Sequence, residues 1–229
     1  MTKLVVANWK ANKVDLVKWF DEFSSFDQSQ ISAEVSLAPQ TPLLTLAGKL
    51  LTDYKLQNFG LAAQDVSLYA SGAYTGEVTA GLLHEVGVKY VLVGHSERRR
   101  NFKETNEIVG QKVSQAQMTG LIPIICVQSE SEIPSGVWEN GNGLQEHEIF
   151  VMYEPETAIS TPGNYHPEDP KRVEEVILHL KDKFKTGVFY GGSVNSQNVS
   201  DYHVADGFVV GQASLDPKTF YELLCQIKT

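Results

Sequence analysis

Residues 88–94 read VKYVLVG, and the polar stretch HSERR follows directly at residues 95–99. A strand with one face in water alternates apolar and polar residues, whereas this run is apolar at nearly every position. Such runs are typical of strands buried on both faces, which occur mainly in parallel sheets covered by helices. The stretch therefore predicts an α/β protein with a parallel sheet.

Seven more apolar runs recur along the chain, with segments of helical periodicity between them. Eight such units predict a closed (β/α)8 barrel that covers residues 1–229 as a single domain. A doubly wound open sheet is the alternative, but no G-x-G-x-x-G motif follows the first strand. The predicted strands are 3–9, 34–39, 55–64, 88–94, 121–127, 148–154, 186–192 and 206–211, and the predicted helices include 14–26, 41–51, 106–118, 168–184 and 216–227.

One connection departs from this pattern. Residues 128–147, between the fifth and sixth strands, contain Pro134 and several glycines. Both residue types interrupt helices. We therefore expect the helix after the fifth strand to be shortened or missing.

The composition excludes several classes of protein. The chain is 42% hydrophobic and has a formal net charge of -9, which disfavours nucleic acid and anionic membranes as partners. No apolar run approaches the roughly 18 residues that span a bilayer, and the N-terminal residues lack the apolar core of an export signal. Cys126 lies in an apolar run, which suits a buried, reduced thiol. We expect a cytoplasmic protein.

In such a barrel the active site forms at the carboxyl ends of the strands. Asn8 and Lys10 end the first strand on one face, because strand side chains alternate, and Trp9 lies on the other face. An amide and a cation at the barrel mouth suit an anionic or carbonyl substrate. The alternative is an ordinary strand end with solvated polar residues.

His95 follows the fourth strand at a predicted helix start, where His95 or Ser96 could cap the helix. The positive end of a helix disfavours the imidazolium ion, so a neutral ring could donate a hydrogen bond to a carbonyl group. A structural histidine at a helix start is the alternative.

Glu154 ends the sixth strand on the face that also carries Phe150 and Met152. The carboxylate therefore closes an otherwise apolar face. We expect burial to raise its pKa toward the range of a useful base. A strand-end glutamate paired with an arginine is the alternative.

Glycine-containing turns follow the seventh and eighth strands. Gly191, Gly192 and Gly211 allow close approach of the backbone, so N–H groups and the Ser193 hydroxyl could surround a phosphate near a helix start. Glycines are common in ordinary turns, but phosphate sites in barrels favour these two connections.

Taken in order, these motifs resemble those of triosephosphate isomerases over nearly the whole chain. The resemblance implies a TIM-barrel enzyme of glycolysis and gluconeogenesis that needs no metal or organic cofactor. Such an enzyme interconverts dihydroxyacetone phosphate and D-glyceraldehyde 3-phosphate by proton transfer through an enediolate. The motifs are NWK at 8–10, AQDVS at 63–67, GAYTGE at 72–77, VLVGHSERR at 91–99, YEP at 153–155, YGGSVN at 190–195 and DGFVVGQASL at 206–215.

The resemblance also implies a role for each site residue. Glu154 would move the proton between adjacent carbons, neutral His95 would exchange protons with the substrate oxygens, and Lys10 would stabilise the enediolate. Asn8 would orient the substrate, and Glu97 matches a supporting carboxylate of the family.

The phosphate group would be bound near Ser160, Ser193, Gly211 and Gln212. Gln212 stands where the family has the second glycine of a pair, so a side chain crowds the phosphate end. We expect weaker substrate binding as a result.

Residues 64–77 are similar to the loop through which family members insert into a partner subunit. The resemblance therefore implies a homodimer in which Tyr74 and Thr75 contact the second chain.

The lid that covers the site in this family differs in this sequence. Pro162 offers no N–H and restricts the far hinge, while Gln128 and Ser129 replace a Gly-Glu pair near the lid. We expect an atypical lid that is supported differently. The changed lid residues are Glu156, Thr157, Ser160 and Pro162, whereas Ala158, Ile159 and Thr161 agree with the family.

Two other functions are compatible with a phosphate-binding barrel. One is a non-catalytic phosphosugar-binding relative, and the other is a different phosphate-handling barrel, such as an enzyme of aromatic amino-acid synthesis. The joint presence of Lys10, His95 and Glu154 favours the isomerase. The remaining histidines lack the spacing of a metal site: His84, His147, His166, His179 and His203.

Overall fold

The computed structural model describes residues 2–137, 149–158 and 166–228. Within these ranges eight parallel strands close into a barrel, because each strand pairs with the next and the eighth pairs with the first. Every predicted strand segment contains one of these strands, which confirms the (β/α)8 class. The strands are β1 Leu4–Asn8, β2 Glu34–Ala38, β3 Phe59–Ala63, β4 Val88–Val93, β5 Ile122–Val127, β6 Phe150–Tyr153, β7 Val188–Tyr190 and β8 Gly207–Val210.

All five predicted helices are present, together with two shorter ones. Side-chain oxygens of Asp15, Thr105, Asp169 and Asp216 accept backbone N–H groups at four helix starts, as helix-capping residues do. No helix in the described ranges is long and apolar enough to cross a membrane. The α-helices there are α1 Leu16–Ser24, α2 Leu44–Asp53, α3 Ala80–Glu85, α4 Ser96–Phe102, α5 Asn106–Met118, α6 Pro170–Phe184 and α7 Pro217–Gln226.

Two connections contain no α-helix in their described parts. After β5, residues 128–137 form only a short 3-10 turn, Glu130–Glu132, and the rest of the segment for which a shortened or missing helix is predicted lies outside the described ranges. Between β7 and β8 there is likewise only a 3-10 turn, Val199–Tyr202. The prediction that strand and helix alternate throughout is wrong there, because the Asn195 carboxamide accepts backbone N–H groups and closes a turn instead.

The strands are buried on both faces, which explains their continuous apolar runs. Alternate residues such as Val6, Leu92, Ile124 and Met152 fill the barrel interior. The residues between them pack against the surrounding helices in a second, larger core. The inward-facing positions of each strand therefore lead directly to the barrel mouth, where the polar residues lie.

Candidate active site

The end of β1 places Asn8 and Lys10 on the cavity side, as predicted, and buries Trp9 against Trp19 at a ring distance of 5.3 Å. Lys10 has left-handed backbone geometry, with φ of 49°, and its N–H donates to Asn8 Oδ1 at 3.1 Å. Its Nζ donates to Glu97 Oε1 at 2.8 Å. The cation is therefore held by a carboxylate from the start of α4.

Gln64 supports this arrangement and was not among the predicted site residues. Its Nε2 donates to the carbonyl oxygens of Lys10 and Ala38, each at 2.9 Å. These bonds hold the left-handed turn at Lys10 against the end of β2. The signal was present, because Gln64 ends a predicted strand and belongs to the AQDVS motif.

His95 caps helix α4. Its Nδ1 accepts the Glu97 N–H at 3.2 Å, which confirms that the cap is His95 rather than Ser96. A nitrogen that accepts a hydrogen bond carries no proton, so the hydrogen-bond geometry assigns the neutral ring's proton to Nε2. The Nε2 atom faces the cavity and lies 3.2 Å from Glu154 Oε1.

Glu154 is almost fully buried and lies between two donors. Besides the contact with His95, its Oε2 accepts the Ser96 N–H at 3.4 Å. Burial raises the pKa of this carboxyl, but the contacts with His95 and Ser96 and the charge of Lys10 outweigh burial, so the pKa lies below its ordinary value. The predicted rise is therefore wrong for this arrangement, because sequence patterns do not show which donors reach the carboxylate.

The turn after β7 is tightly packed at its two glycines. A Cβ on Gly191 would lie 2.5 Å from Met152 Sδ, and one on Gly192 would lie 2.2 Å from Tyr190 Oη. Gln212, by contrast, has no left-handed backbone geometry, and its side chain is exposed. The position of Gln212 therefore does not need a glycine for its backbone conformation.

A cavity of about 500 Å³ brings the predicted residues together. Only Ser160 cannot be placed, because it lies outside the described residues. The Ser193 hydroxyl donates to Ala158 O at 2.9 Å, so in this arrangement it holds the lid segment. The other predicted site residues that line the cavity are Asn8, Lys10, His95, Glu97, Glu154, Gly211 and Gln212.

The described part of the lid is a 3-10 turn, Glu156–Ala158. The Thr157 hydroxyl donates to the Glu168 carboxylate ahead of α6. Thr157, one of the residues that depart from the family pattern, therefore anchors the near end of the lid. The remaining predicted lid residues lie outside the described ranges: Ile159, Ser160, Thr161 and Pro162.

A buried charge cluster holds the start of the 64–77 loop to the helices beside His95. Lys112 Nζ lies 2.6 Å from both Asp65 Oδ1 and Glu104 Oε1. Arg98 Nε lies 2.9 Å from Asp65 and 2.6 Å from Glu104. Burial raises the pKa of Asp65, whereas Lys112 and Arg98 outweigh burial at Glu104 and lower its pKa. The sequence showed no sign of this cluster, because Asp65 is far along the chain from its three partners.

Among the residues that the structure describes, no three His, Cys, Asp or Glu side chains gather in a group that could hold a metal ion. His147 lies outside those residues. His179 instead contacts Glu130 on the surface, with Nε2 2.7 Å from Oε2.

The closed barrel carries a cavity lined by polar side chains at the carboxyl ends of its strands. This is the arrangement of a (β/α)8-barrel enzyme. The model of the triosephosphate isomerase family matches residues 3–227. The chain belongs to the triosephosphate isomerase family.

Individual relatives agree with this assignment. The triosephosphate isomerase of Aquifex aeolicus (strain VF5) is 35% identical over an alignment 247 positions long, which covers 98% of this chain and 99% of the relative. That of Mesomycoplasma hyopneumoniae (strain 7448) is 37% identical over an alignment 246 positions long, which covers 98% of this chain and 99% of the relative. The crystal structure of triosephosphate isomerase from Bartonella henselae matches with a TM-score of 0.77 at 25% identity, covering 98% of both chains.

Proposed function

We propose that this protein interconverts dihydroxyacetone phosphate and D-glyceraldehyde 3-phosphate. The observation that carries the proposal is the contact of His95 Nε2 with Glu154 Oε1, at 3.2 Å, in a cavity that Lys10 also lines. A base, a neutral proton donor and a cation are the groups that proton transfer next to a carbonyl requires.

In this mechanism the Glu154 carboxylate removes a proton from the substrate carbon next to the carbonyl. The His95 Nε2–H donates to the carbonyl oxygen, and the Lys10 ammonium stabilises the negative charge of the enediolate. Glu154 then returns its proton to the neighbouring carbon, while His95 exchanges protons with the two oxygens. Protons balance, and no electron leaves the substrate.

In this mechanism, substrate binding changes the pKa of Glu154. A three-carbon substrate between His95 and Glu154 separates the two side chains, so the contacts that lower the Glu154 pKa weaken while burial persists. The pKa of Glu154 then rises. A buried carboxylate that loses its donors when substrate binds becomes a stronger base at the moment of reaction.

Phosphate binding is proposed at the turns after β7 and β8, where Gly192, Ser193, Gly211 and Gln212 line the cavity. Ser160 belongs to the same proposed site. Anchoring the phosphate supplies binding energy that positions the reacting carbons beside Glu154.

We further propose a cytoplasmic homodimer, with a place in glycolysis and gluconeogenesis. Residues 64–77 would insert into the partner subunit, with Tyr74 and Thr75 in contact with it. Tyr74 supports this, because it is 44% exposed and stacks on Tyr69 at a ring distance of 4.0 Å. Exposed aromatic pairs of this kind are typical of interface residues.

Turnover of D-glyceraldehyde 3-phosphate by purified wild type and Glu154→Gln tests the function. We expect the variant to lose at least roughly 100-fold in kcat, because general-base catalysis contributes that much or more. Both proteins should still bind inorganic phosphate, since the proposed phosphate turns are unchanged. Glu175→Gln, at an exposed position on helix α6, is the control and should keep wild-type turnover.

Three results would count against the isomerase. Wild type that binds phosphate without any turnover would support the phosphosugar-binding alternative. Turnover confined to a different phosphorylated substrate would support another barrel chemistry. Equal turnover in wild type and Glu154→Gln would remove Glu154 from the mechanism.

A further inference from the structure

The peptide group between Val127 and Gln128 is held from both sides. Its carbonyl oxygen accepts the Glu154 N–H at 2.9 Å, so it anchors the backbone of the proposed base. Its N–H donates to Glu132 Oε2 at 2.7 Å. Because C=O and N–H of one peptide lie in one plane, the Glu132 carboxylate sets the orientation of the group that holds Glu154.

The peptide group before His95 is held in a comparable way. Arg99 Nε donates to Gly94 O at 2.8 Å, and the Gly94 carbonyl shares its plane with the His95 N–H. A second guanidinium nitrogen, Nη2, donates to Glu132 O at 2.9 Å. The third, Nη1, donates to Asn106 Oδ1 at 2.8 Å, at the start of α5. Arg99 therefore joins the end of β4 to the turn after β5.

Glu132 is the residue common to both supports. Its backbone carbonyl accepts from Arg99, and its carboxylate, whose Oε2 lies 3.9 Å from Arg99 Nε, fixes the peptide that faces Glu154. Its side chain is only 27% exposed. It lies in the described part of the connection after β5, residues 128–137, which forms only a 3-10 turn and in which Gln128 and Ser129 depart from the family pattern.

We propose that Glu132 is a positioning residue for the isomerisation, which sets the spacing between Glu154 and His95 through the Val127–Gln128 peptide and Arg99. The inference rests on the proposed function, because it concerns the same two side chains. Glu132 does not line the cavity. It acts by holding the base at the correct distance, and small displacements of a reacting group lower kcat steeply.

The test compares Glu132→Ala, Glu132→Gln and Glu130→Ala with wild type. Glutamine keeps an oxygen that can accept the Gln128 N–H, whereas alanine removes it. Glu130 lies on the same 3-10 turn, but its carboxylate contacts His179 and Lys183 on the surface of α6. Glu130→Ala therefore reports the effect of loosening the turn without touching the peptide that faces Glu154.

We expect Glu132→Ala to lower kcat about tenfold, since a shift of about 1 Å can cost up to 100-fold. Its KM and its inhibition constant for inorganic phosphate should change less than about twofold, because the phosphate turns lie on β7 and β8. Glu132→Gln should recover most of the lost kcat. Glu130→Ala should keep wild-type kcat even where its melting temperature falls.

Circular dichroism and melting curves establish that each variant is folded, and the glutamine variant keeps the test decisive if alanine does not fold. Wild-type kcat in Glu132→Ala would overturn the positioning role. A folded Glu132→Gln whose kcat is no higher than that of Glu132→Ala would overturn it as well. A fall in kcat that tracks the loss of stability equally in Glu132→Ala and Glu130→Ala would also overturn it. Wild type without turnover would overturn the proposed function and this inference together. If wild type is active, the variants test the positioning role of Glu132 alone.

Discussion

The ring of His95 and the carboxylate of Glu154 face each other across the mouth of the barrel, with Nε2 3.2 Å from Oε1. Both side chains are almost fully buried. The proposed acid and base are therefore in direct contact, and substrate must come between them. Several measurable properties depend on this contact.

The pH dependence of catalysis should differ between free and substrate-bound protein. The contacts with His95 and Ser96 lower the Glu154 pKa, so the acid limb that the free protein contributes to kcat/KM, after allowance for the ionisation of the substrate phosphate, should lie below pH 4.5, the ordinary value. The acid limb of kcat, which reports the complex, should lie at higher pH, because substrate removes those contacts. Steady-state rates across pH check this, and identical acid limbs would contradict it.

The same contact makes a pH-dependent contribution to stability. A carboxyl whose pKa is lower in the folded chain stabilises it above the unfolded value, and that contribution is lost as pH falls through the folded pKa. The free energy of unfolding of wild type minus that of Glu154→Gln should therefore decrease on acidification below about pH 4.5. Denaturant titrations at several pH values measure it. A difference that grows toward acid would show that the contact does not lower the pKa.

Gly192→Ala should damage the proposed phosphate turn. The added Cβ would lie 2.2 Å from Tyr190 Oη, so the turn or the ring must move. We expect a loss of about 1–3 kcal/mol in unfolding free energy, as for other overpacked sites, and a higher KM. Gly81→Ala, where nothing lies within 4 Å, is the control and should stabilise helix α3 slightly. An unchanged KM in a folded Gly192→Ala protein would argue against a phosphate site in this turn.

Gln212→Gly tests whether the glutamine crowds the phosphate. Since the side chain is exposed and the backbone does not need glycine, we expect a stability loss of only about 0.5–1 kcal/mol, from the added freedom of the unfolded chain. The KM should fall while kcat stays constant. A higher KM would instead mean that the Gln212 carboxamide contributes to binding.

Tyr74→Asp should weaken the proposed dimer. A charge placed at the tip of the 64–77 loop would be buried against the partner subunit, which is costly without a counter-ion. Sedimentation velocity should then show a monomer at concentrations where wild type is dimeric. Leu178→Asp, at an exposed position on α6, is the control and should leave the assembly unchanged. Equal assembly of both variants would exclude this loop as the interface.

Weakening of the proposed dimer interface should also disturb the candidate active site. Asp65, at the start of the loop, is bound by Lys112 and Arg98, and Arg98 belongs to the helix that His95 caps. A displacement of the loop would therefore move Arg98 through its ion pair with Asp65, and with it the start of the helix that His95 caps. This link joins the 64–77 loop to α4 and α5, two consecutive helices that lie further along the chain.

The sequence by itself determined the barrel, because burial on both faces of a parallel strand requires the continuous apolar runs that mark all eight strands. It also located most of the site, since Lys10, His95 and Glu154 each follow such a run and the carboxyl ends of barrel strands meet at one mouth. A helix cap at His95 or Ser96 could be predicted because capping depends on residues next to each other in the chain, and the structure decided in favour of His95.

The tertiary structure decided the rest, because those properties depend on distances between segments that no local pattern encodes. The direction of the Glu154 pKa shift is set by His95, by Ser96 at the start of α4 and by the charge of Lys10, and the support of Lys10 comes from Gln64 after β3. The missing helix between β7 and β8 follows from side-chain bonds within one turn that outweigh the expected alternation. Residue types and periods predict which groups reach the barrel mouth, whereas only packing decides how they contact one another.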